Sequence, residues 1–129
     1  MDSKDTQEFD AIVVGAGIAG MYFVYRLRKL GFTVRAYEAG TGVGGTWYWN
    51  RYPGARFDSE SYSYGYSWSQ EILDEWEWTE HFSPQTETLR YLNLVADKFD
   101  LRKDIEFNAR VSSAVYDSND RSWCVETES

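Results

Sequence analysis

FDAIVVGAGIAGMYFVYRLRKLGFTVRAYE, running from Phe9 to Glu38, is the stretch that decides the fold. Residues 9–14 form a short apolar run of β-branched character, which reads as a buried strand. It passes straight into Gly15-Ala16-Gly17-Ile18-Ala19-Gly20, after which Tyr22, Phe23, Leu27 and Leu30 recur at helical spacing. Arg26, Arg28 and Lys29 crowd the last turn, where cations meet the negative end of a helix, and Gly31 supplies the stop. Residues 32–37 read as a second strand, closed by Glu38. Strand, glycine turn, helix and strand in so short a span make a parallel βαβ unit, since parallel strands need a crossover and a helix supplies it.

GxGxxG alone is a weak signal, but here it sits between a strand and a helix with an acid at the end of the next strand. Gly15 permits the tight turn, Gly17 lets a pyrophosphate reach the backbone, and Gly20 lets helix and strand pack closely. The helix N-terminus at Ile18 and Ala19 then offers N–H groups and a partial positive charge to phosphates. Glu38 is placed to accept hydrogen bonds from ribose hydroxyls, and its charge repels a 2′-phosphate, so this site favours FAD or NAD over NADP. An incidental exposed Glu38 beside an ordinary tight turn explains less of the unit.

Outward from this core, residues 39–82 are irregular and hold much of the aromatic content. Gly44 to Asp58, GGTWYWNRYPGARFD, mixes permissive glycines, aromatics and the charges Arg51, Arg56 and Asp58. Taken alone it reads equally as a flavin pocket or as a loop with aromatics tucked into the core. Tyr62, Tyr64, Tyr66 and Trp68 alternate, which predicts a strand or extended loop with one aromatic face. A short acidic helix is expected over 69–78. A clearer one carries Leu89, Leu92, Val95, Ala96 and Phe99 and starts near Ser83-Pro84 or Thr86. Residues 105–107 read as a third parallel strand, and 111–116 with 123–127 as a hairpin or meander through Asp117-Ser118-Asn119-Asp120. The expected class is therefore α/β, a Rossmann-like dinucleotide-binding domain over residues 9–129 behind a flexible lead of residues 1–8. The absence of a terminating element at Ser129 suggests a fragment.

The chain has 129 residues, 43% of them hydrophobic, which suits one modest domain. A net charge of -8 argues against nucleic acid or an anionic membrane as a partner. Cys124 is the only cysteine, so a disulfide framework and a multi-cysteine metal site are excluded, no metal is expected, and a small buried or edge-strand thiol is its default role. No signal sequence or membrane span is legible, and a cytoplasmic protein is expected.

Residues 44–58 also match the pattern [A/G]GxWxxxx[F/Y]P[G/M]xxxD at Gly44, Gly45, Trp47, Tyr52, Pro53, Gly54 and Asp58. This resembles the fingerprint of type I Baeyer-Villiger monooxygenases. The resemblance continues through YSYGYSW, LRYLNLVADKFDLRKDIEFN and the terminal hairpin, and is nearest the phenylacetone and steroid monooxygenase branch. It implies that Gly45, Thr46, Trp47, Tyr48 and Trp49 lie along FAD, and that Glu38, Asp58, Tyr64 and Val111 also contact it. It further implies that Arg56, Phe57 and Asp58 approach NADPH, with Asp58 facing an arginine of a separate NADPH-binding domain and acting as the chemically active side chain. A surface cap, or an ion pair of Asp58 with Arg56 or Arg51, is the plainer alternative.

The implied chemistry is reduction of FAD by NADPH, addition of O2 at flavin C4a to give a peroxide, and attack of that peroxide on a ketone to yield an ester or lactone. A second glycine-rich motif and a histidine-containing signature of the family do not occur in these residues, and His81 reads as a surface residue. The rest of the same polypeptide is expected to supply them. A flavin-dependent N- or S-monooxygenase, a stand-alone dinucleotide-binding module and, from Tyr62 to Trp68 alone, a carbohydrate-binding surface remain as alternatives.

Overall fold

A computed structural model describes residues 6–128. The expected flexible lead falls partly outside them, at residues 1–5. Strand β1 (Ala11–Val14), helix α1 (Ile18–Lys29) and strand β2 (Val34–Tyr37) form the βαβ unit. The strands pair in parallel from Ala11 opposite Val34 to Val14 opposite Tyr37. After the short helices α2 (Thr46–Trp49), α3 (Ser61–Tyr64) and α4 (Gln70–Glu75) comes α5 (Gln85–Lys98). Strand β3 (Ile105–Glu106) then adds to β2 in parallel, giving the sheet order β1-β2-β3. Strands β4 (Val111–Asp117) and β5 (Ser122–Thr127) make a separate antiparallel hairpin.

One apolar face of each helix closes the core. α1 buries Met21 and Val24, and α5 buries Tyr91, Leu92, Val95 and Ala96 beside Val34, Ala36 and Ile105 of the sheet. The basic end of α1 is used for more than its own dipole. Arg28 donates from Nε to Asp104 Oδ2 at 2.9 Å and from Nη1 to the Phe99 carbonyl at 2.7 Å, so its guanidinium caps the exit of α5 and ties it to α1. Gly31 takes φ +89°, a left-handed conformation that ends α1 as expected.

At the other end of α5, Gln85 N–H donates to the Ala55 carbonyl at 2.9 Å and Phe57 N–H to Ser83 O at 3.3 Å. Arg56 pairs with Pro84 as an isolated bridge. Buried Glu87 accepts from Thr79 N–H at 2.8 Å and from the Thr79 hydroxyl. The irregular middle of the chain is thereby stitched to α5. Among the described residues no helix is long and apolar enough to cross a membrane.

Two expectations need correction. The alternating Tyr62, Tyr64, Tyr66 and Trp68 do not lie on a strand, because Ser61–Tyr64 is a helical turn that rotates Tyr62 to 76% exposure and sends Tyr64 inward. Tyr66 and Trp68 follow it against the core, which removes the flat aromatic face that a sugar would need. The acidic helix is confined to Gln70–Glu75, since Ser69 caps it by accepting from Ile72 N–H and Trp76 is already extended. Cys124 lies on a strand of the two-stranded hairpin, the edge-strand place expected of it, and is exposed.

A Cβ on Gly20 would fall 2.1 Å from the Gly15 carbonyl oxygen, so α1 can cross the end of β1 only with glycine there. Gly20→Ala is expected to lower the urea midpoint by an overpacking cost of about 1–3 kcal/mol. An unchanged midpoint would contradict this packing.

Candidate functional site: a cleft at the end of the parallel strands

The cleft opens where β1 and β2 deliver their C-terminal ends, the usual place for a ligand in an open α/β sheet. Gly15, at φ +97°, turns the chain from β1 into α1 and donates its N–H to Tyr37 O at 2.8 Å. No side chain caps the start of α1 and no acid lies in its first turn. Its orphan N–H groups and positive dipole end are therefore left for a ligand.

Glu38 is the hub. It is 4% exposed, and its Oε1 accepts from Ala16 N–H at 2.9 Å while Oε2 accepts from Gly40 N–H at 2.6 Å. Its own N–H donates to Glu106 O, and its carbonyl accepts from Ala109 N–H, both at 2.9 Å. A buried carboxylate with no cationic partner among the described residues is thus held by amide dipoles at the positive end of α1. Each carboxylate oxygen keeps a second acceptor position, and the residue still forms part of the cleft wall.

The opposite wall comes from the segment after β2. Gly44 N–H donates to Ala16 O at 3.0 Å, and a Cβ on Gly45 would stand 2.8 Å from Gly17 Cα, so two backbones touch across the cleft floor. The single turn α2 then sorts its side chains by helical geometry. Thr46 and Trp49, three apart, share the face toward the cleft, whereas Trp47 goes into the core. Trp47 Nε1 donates to the Tyr64 hydroxyl at 2.7 Å, and its carbonyl accepts from Gln85 Nε2 at 2.5 Å. Tyr48 turns away from the cleft to Thr41, whose N–H donates to the phenol oxygen at 2.9 Å; the Thr41 hydroxyl bond holds this phenol below its ordinary pKa.

The cleft measures about 430 Å³, inside the range of roughly 300–1,000 Å³ for small-molecule sites. It gathers Gly15, Gly17, Glu38, Gly45, Thr46, Trp49 and Val111 of the expected residues. It also includes Asn50 and Arg110, which had no motif to mark them. Only the adjacency of Arg110 to Val111, a cation before a strand in an acidic chain, could have pointed there. Ile18, Ala19 and Gly20 sit behind the turn in the opening of α1.

Arg56, Phe57 and Asp58 form a second hollow of about 560 Å³ with Glu80, His81 and Phe82. Arg56 donates to Phe82 O at 2.5 Å and to Glu80 at 3.2 Å, and Arg51 donates to Tyr48 O at 2.7 Å. Asp58 is exposed and makes no ion pair among the described residues, which removes the alternative of pairing with either arginine. His81 is exposed and lies 3.9 Å from Glu60. Tyr64 belongs to neither hollow, because its ring stacks on Phe57 at 4.1 Å within the core.

A glycine turn, an uncapped helix end and a buried acid closing β2 define a Rossmann-like dinucleotide-binding domain. Residues 13–76 match the family model of the NAD(P)-binding Rossmann-like domain. Over 122 residues the chain is 49% identical to the acetone monooxygenase (methyl acetate-forming) of Gordonia sp., covering 95% of this chain and 23% of that protein. It is 46% identical to a Baeyer-Villiger monooxygenase of Pseudooceanicola batsensis, over 95% of this chain and 23% of the relative. A phenazine N-monooxygenase of Lysobacter antibioticus is also 46% identical, over 98% of this chain and 24% of its own. The structure of an oxidized steroid monooxygenase bound to NADP superposes with a TM-score of 0.93 at 56% identity, over 95% of this chain and 23% of that one. The chain is similar to Baeyer-Villiger monooxygenases and spans about a quarter of the length of these relatives.

Glu38→Gln keeps the size of the side chain but sets an NH2 group against one of the two amide donors. A loss of about 1–3 kcal/mol in unfolding free energy is expected from the unpaired buried donor, measured by urea denaturation. A neutral result would show that the carboxylate does not bridge Ala16 and Gly40.

Proposed function

We propose that residues 9–129 are the FAD-binding part of a cytoplasmic, NADPH- and O2-dependent monooxygenase that converts ketones to esters or lactones, the rest of the same polypeptide carrying the NADPH domain. The observation that carries this reading is the cleft itself. The uncapped opening of α1 and the backbone of Gly15 and Gly17 suit a pyrophosphate, and the wall formed by Thr46 and Trp49 suits the flavin side of the dinucleotide. The spare acceptor positions on Glu38 suit ribose hydroxyls. A buried negative charge there disfavours a ribose 2′-phosphate, which supports the reading of FAD in this cleft and of NADPH outside it.

Bound FAD supplies hydride acceptance from NADPH and activation of dioxygen. The chain supplies position and charge. α1 binds phosphate, Thr46 and Trp49 shape the wall, and Asp58 presents a free carboxylate to a cation brought by the rest of the polypeptide. Arg56 holds the Asp58 segment by bonding Phe82 O and Glu80. Phe57, Tyr64 and Trp47 form the aromatic floor beneath it. Val111 and Arg110 stand at the mouth. A single cysteine suits a reducing compartment such as the cytoplasm. N-oxidation of a heteroaromatic amine is the second reading, favoured by the similarity to the phenazine N-monooxygenase.

In the polypeptide that carries this chain, a ketone is expected to accelerate NADPH consumption and to be recovered as an ester or lactone. Asp58→Asn should reduce kcat on the order of 10²-fold, the scale of losing one preorganised charge contact. N-oxide from an aromatic amine with no ester from any ketone would favour the second reading, and full activity in Asp58→Asn would remove the assigned role.

A further inference from the structure

The aromatics singled out in the irregular segment do not form the flavin cleft, yet they are too continuous and too polar to be a plain apolar filling. Trp47, one residue from the cleft-facing Thr46, meets Phe57 at 5.9 Å between ring centroids, and Phe57 meets Trp78 at 5.8 Å. Trp78 stacks on Tyr91 at 4.8 Å, and Tyr91 reaches Tyr66 at 6.0 Å. Tyr66 meets Trp68 at 5.2 Å, and Trp68 stacks on Tyr25 at 4.2 Å. Tyr25 is half-buried on α1, where Lys29 donates to its hydroxyl at 3.2 Å in an exposed contact. The file therefore runs from beside the cleft to solvent with no centroid step longer than 6.0 Å.

Its composition is not what packing alone selects. Among the described residues, the buried Nε1–H groups of Trp68 and of Trp76, which packs beside the file on Trp78 and Tyr91, have no acceptor, a cost that Phe or Leu at the same places would avoid. Along the file only Phe57 is not readily oxidised, and Tyr64 stacks on it at 4.1 Å while accepting from Trp47 Nε1–H. Indoles and phenols are the side chains that give up one electron most easily, and electrons move fast between rings this close.

We infer that this Trp/Tyr file is a protective electron relay, which carries oxidising equivalents away from the cleft when oxygen chemistry there misfires. This rests on the flavin reading above. A one-electron oxidant at the cleft, such as hydroxyl radical from stray peroxide, takes an electron from Trp47 and, with a proton, becomes water. Electrons then step inward from Tyr25 through Trp68, Tyr66, Tyr91 and Trp78, and cross the intervening Phe57 ring by tunnelling, without oxidising it, to refill Trp47. Tyr25 ends as a phenoxyl radical, its hydroxyl proton lost to solvent. A soluble thiol gives Tyr25 one hydrogen atom, restoring the phenol, and two thiyl radicals pair as a disulfide.

Photoexcited flavin is itself a strong one-electron oxidant, so the relay can be tested without turnover. The chain is loaded with FAD, flashed with blue light and followed by transient absorption. A tryptophanyl signal that converts to a tyrosyl signal, shortened by added glutathione, is expected. Tyr25→Phe should abolish the thiol-sensitive tyrosyl signal, and Trp78→Phe should confine the radical to the cleft side. Equal decay in the parent chain and both variants, with FAD bound in each, would overturn the relay and leave the flavin reading standing. Failure of the parent chain to take up FAD would instead defeat the flavin reading, and the relay with it. Flavin absorbance before the flash separates the two cases, and circular dichroism of each variant confirms the fold.

Discussion

Two hydrogen bonds from backbone amides to one buried carboxylate hold the site together. Glu38 ends β2, receives Ala16 from the glycine turn and Gly40 from the following bend, and is fixed by its own backbone to Glu106 and Ala109. Two segments distant in the chain, the glycine turn and residues 106–109, converge on this one residue. Burial makes that convergence sharp, because a carboxylate without these donors would face the full desolvation cost of a charge. The same geometry leaves the opening of α1 uncapped, since the acid that neutralises its neighbourhood approaches from β2 and not from the first helical turn. Folding and ligand recognition are thus served by one arrangement.

From that hub the second half of the site is built by close backbone contact. Gly44 bonds to Ala16 and Gly45 lies against Gly17, so the wall that follows β2 is positioned by the turn that precedes α1. α2 starts immediately afterwards, and its four residues divide between cleft, core and far side. Arg56, Pro84, Ser83 and Gln85 then lock the Asp58 segment to the start of α5. The cleft and the Asp58 hollow are separate surfaces joined through Trp47, Phe57 and Tyr64.

The βαβ unit was legible because its information is local: a β-branched run, glycines at fixed spacing and a helical repeat in one short span. Ile105–Glu106 and the hairpin were legible for the same reason. What sequence could not carry was orientation. Alternation through Tyr62 to Trp68 suggests a strand, but a four-residue helix is too short to leave a periodic trace, and tertiary contacts decided it. Trp47 and Trp49 are both indoles of one short aromatic run, yet one is buried and the other faces the cleft, a difference of two positions on a helical turn. Ala16, whose amide bonds the Glu38 carboxylate, lies twenty-two residues away, so the structural role of Glu38 was invisible beside the ribose role proposed for it. Arg110 had only its place beside Val111 to mark it, and the start of the hairpin brings it to the cleft wall.

The central claim is that this cleft accepts a dinucleotide lacking a ribose 2′-phosphate, and that this dinucleotide is FAD. Its most direct measurement is calorimetric titration of the chain with FAD, repeated in the presence of excess NADP+. The account predicts one FAD per chain with an affinity unaffected by NADP+. Displacement of FAD by NADP+, or binding of NADP+ in preference to FAD, would contradict it.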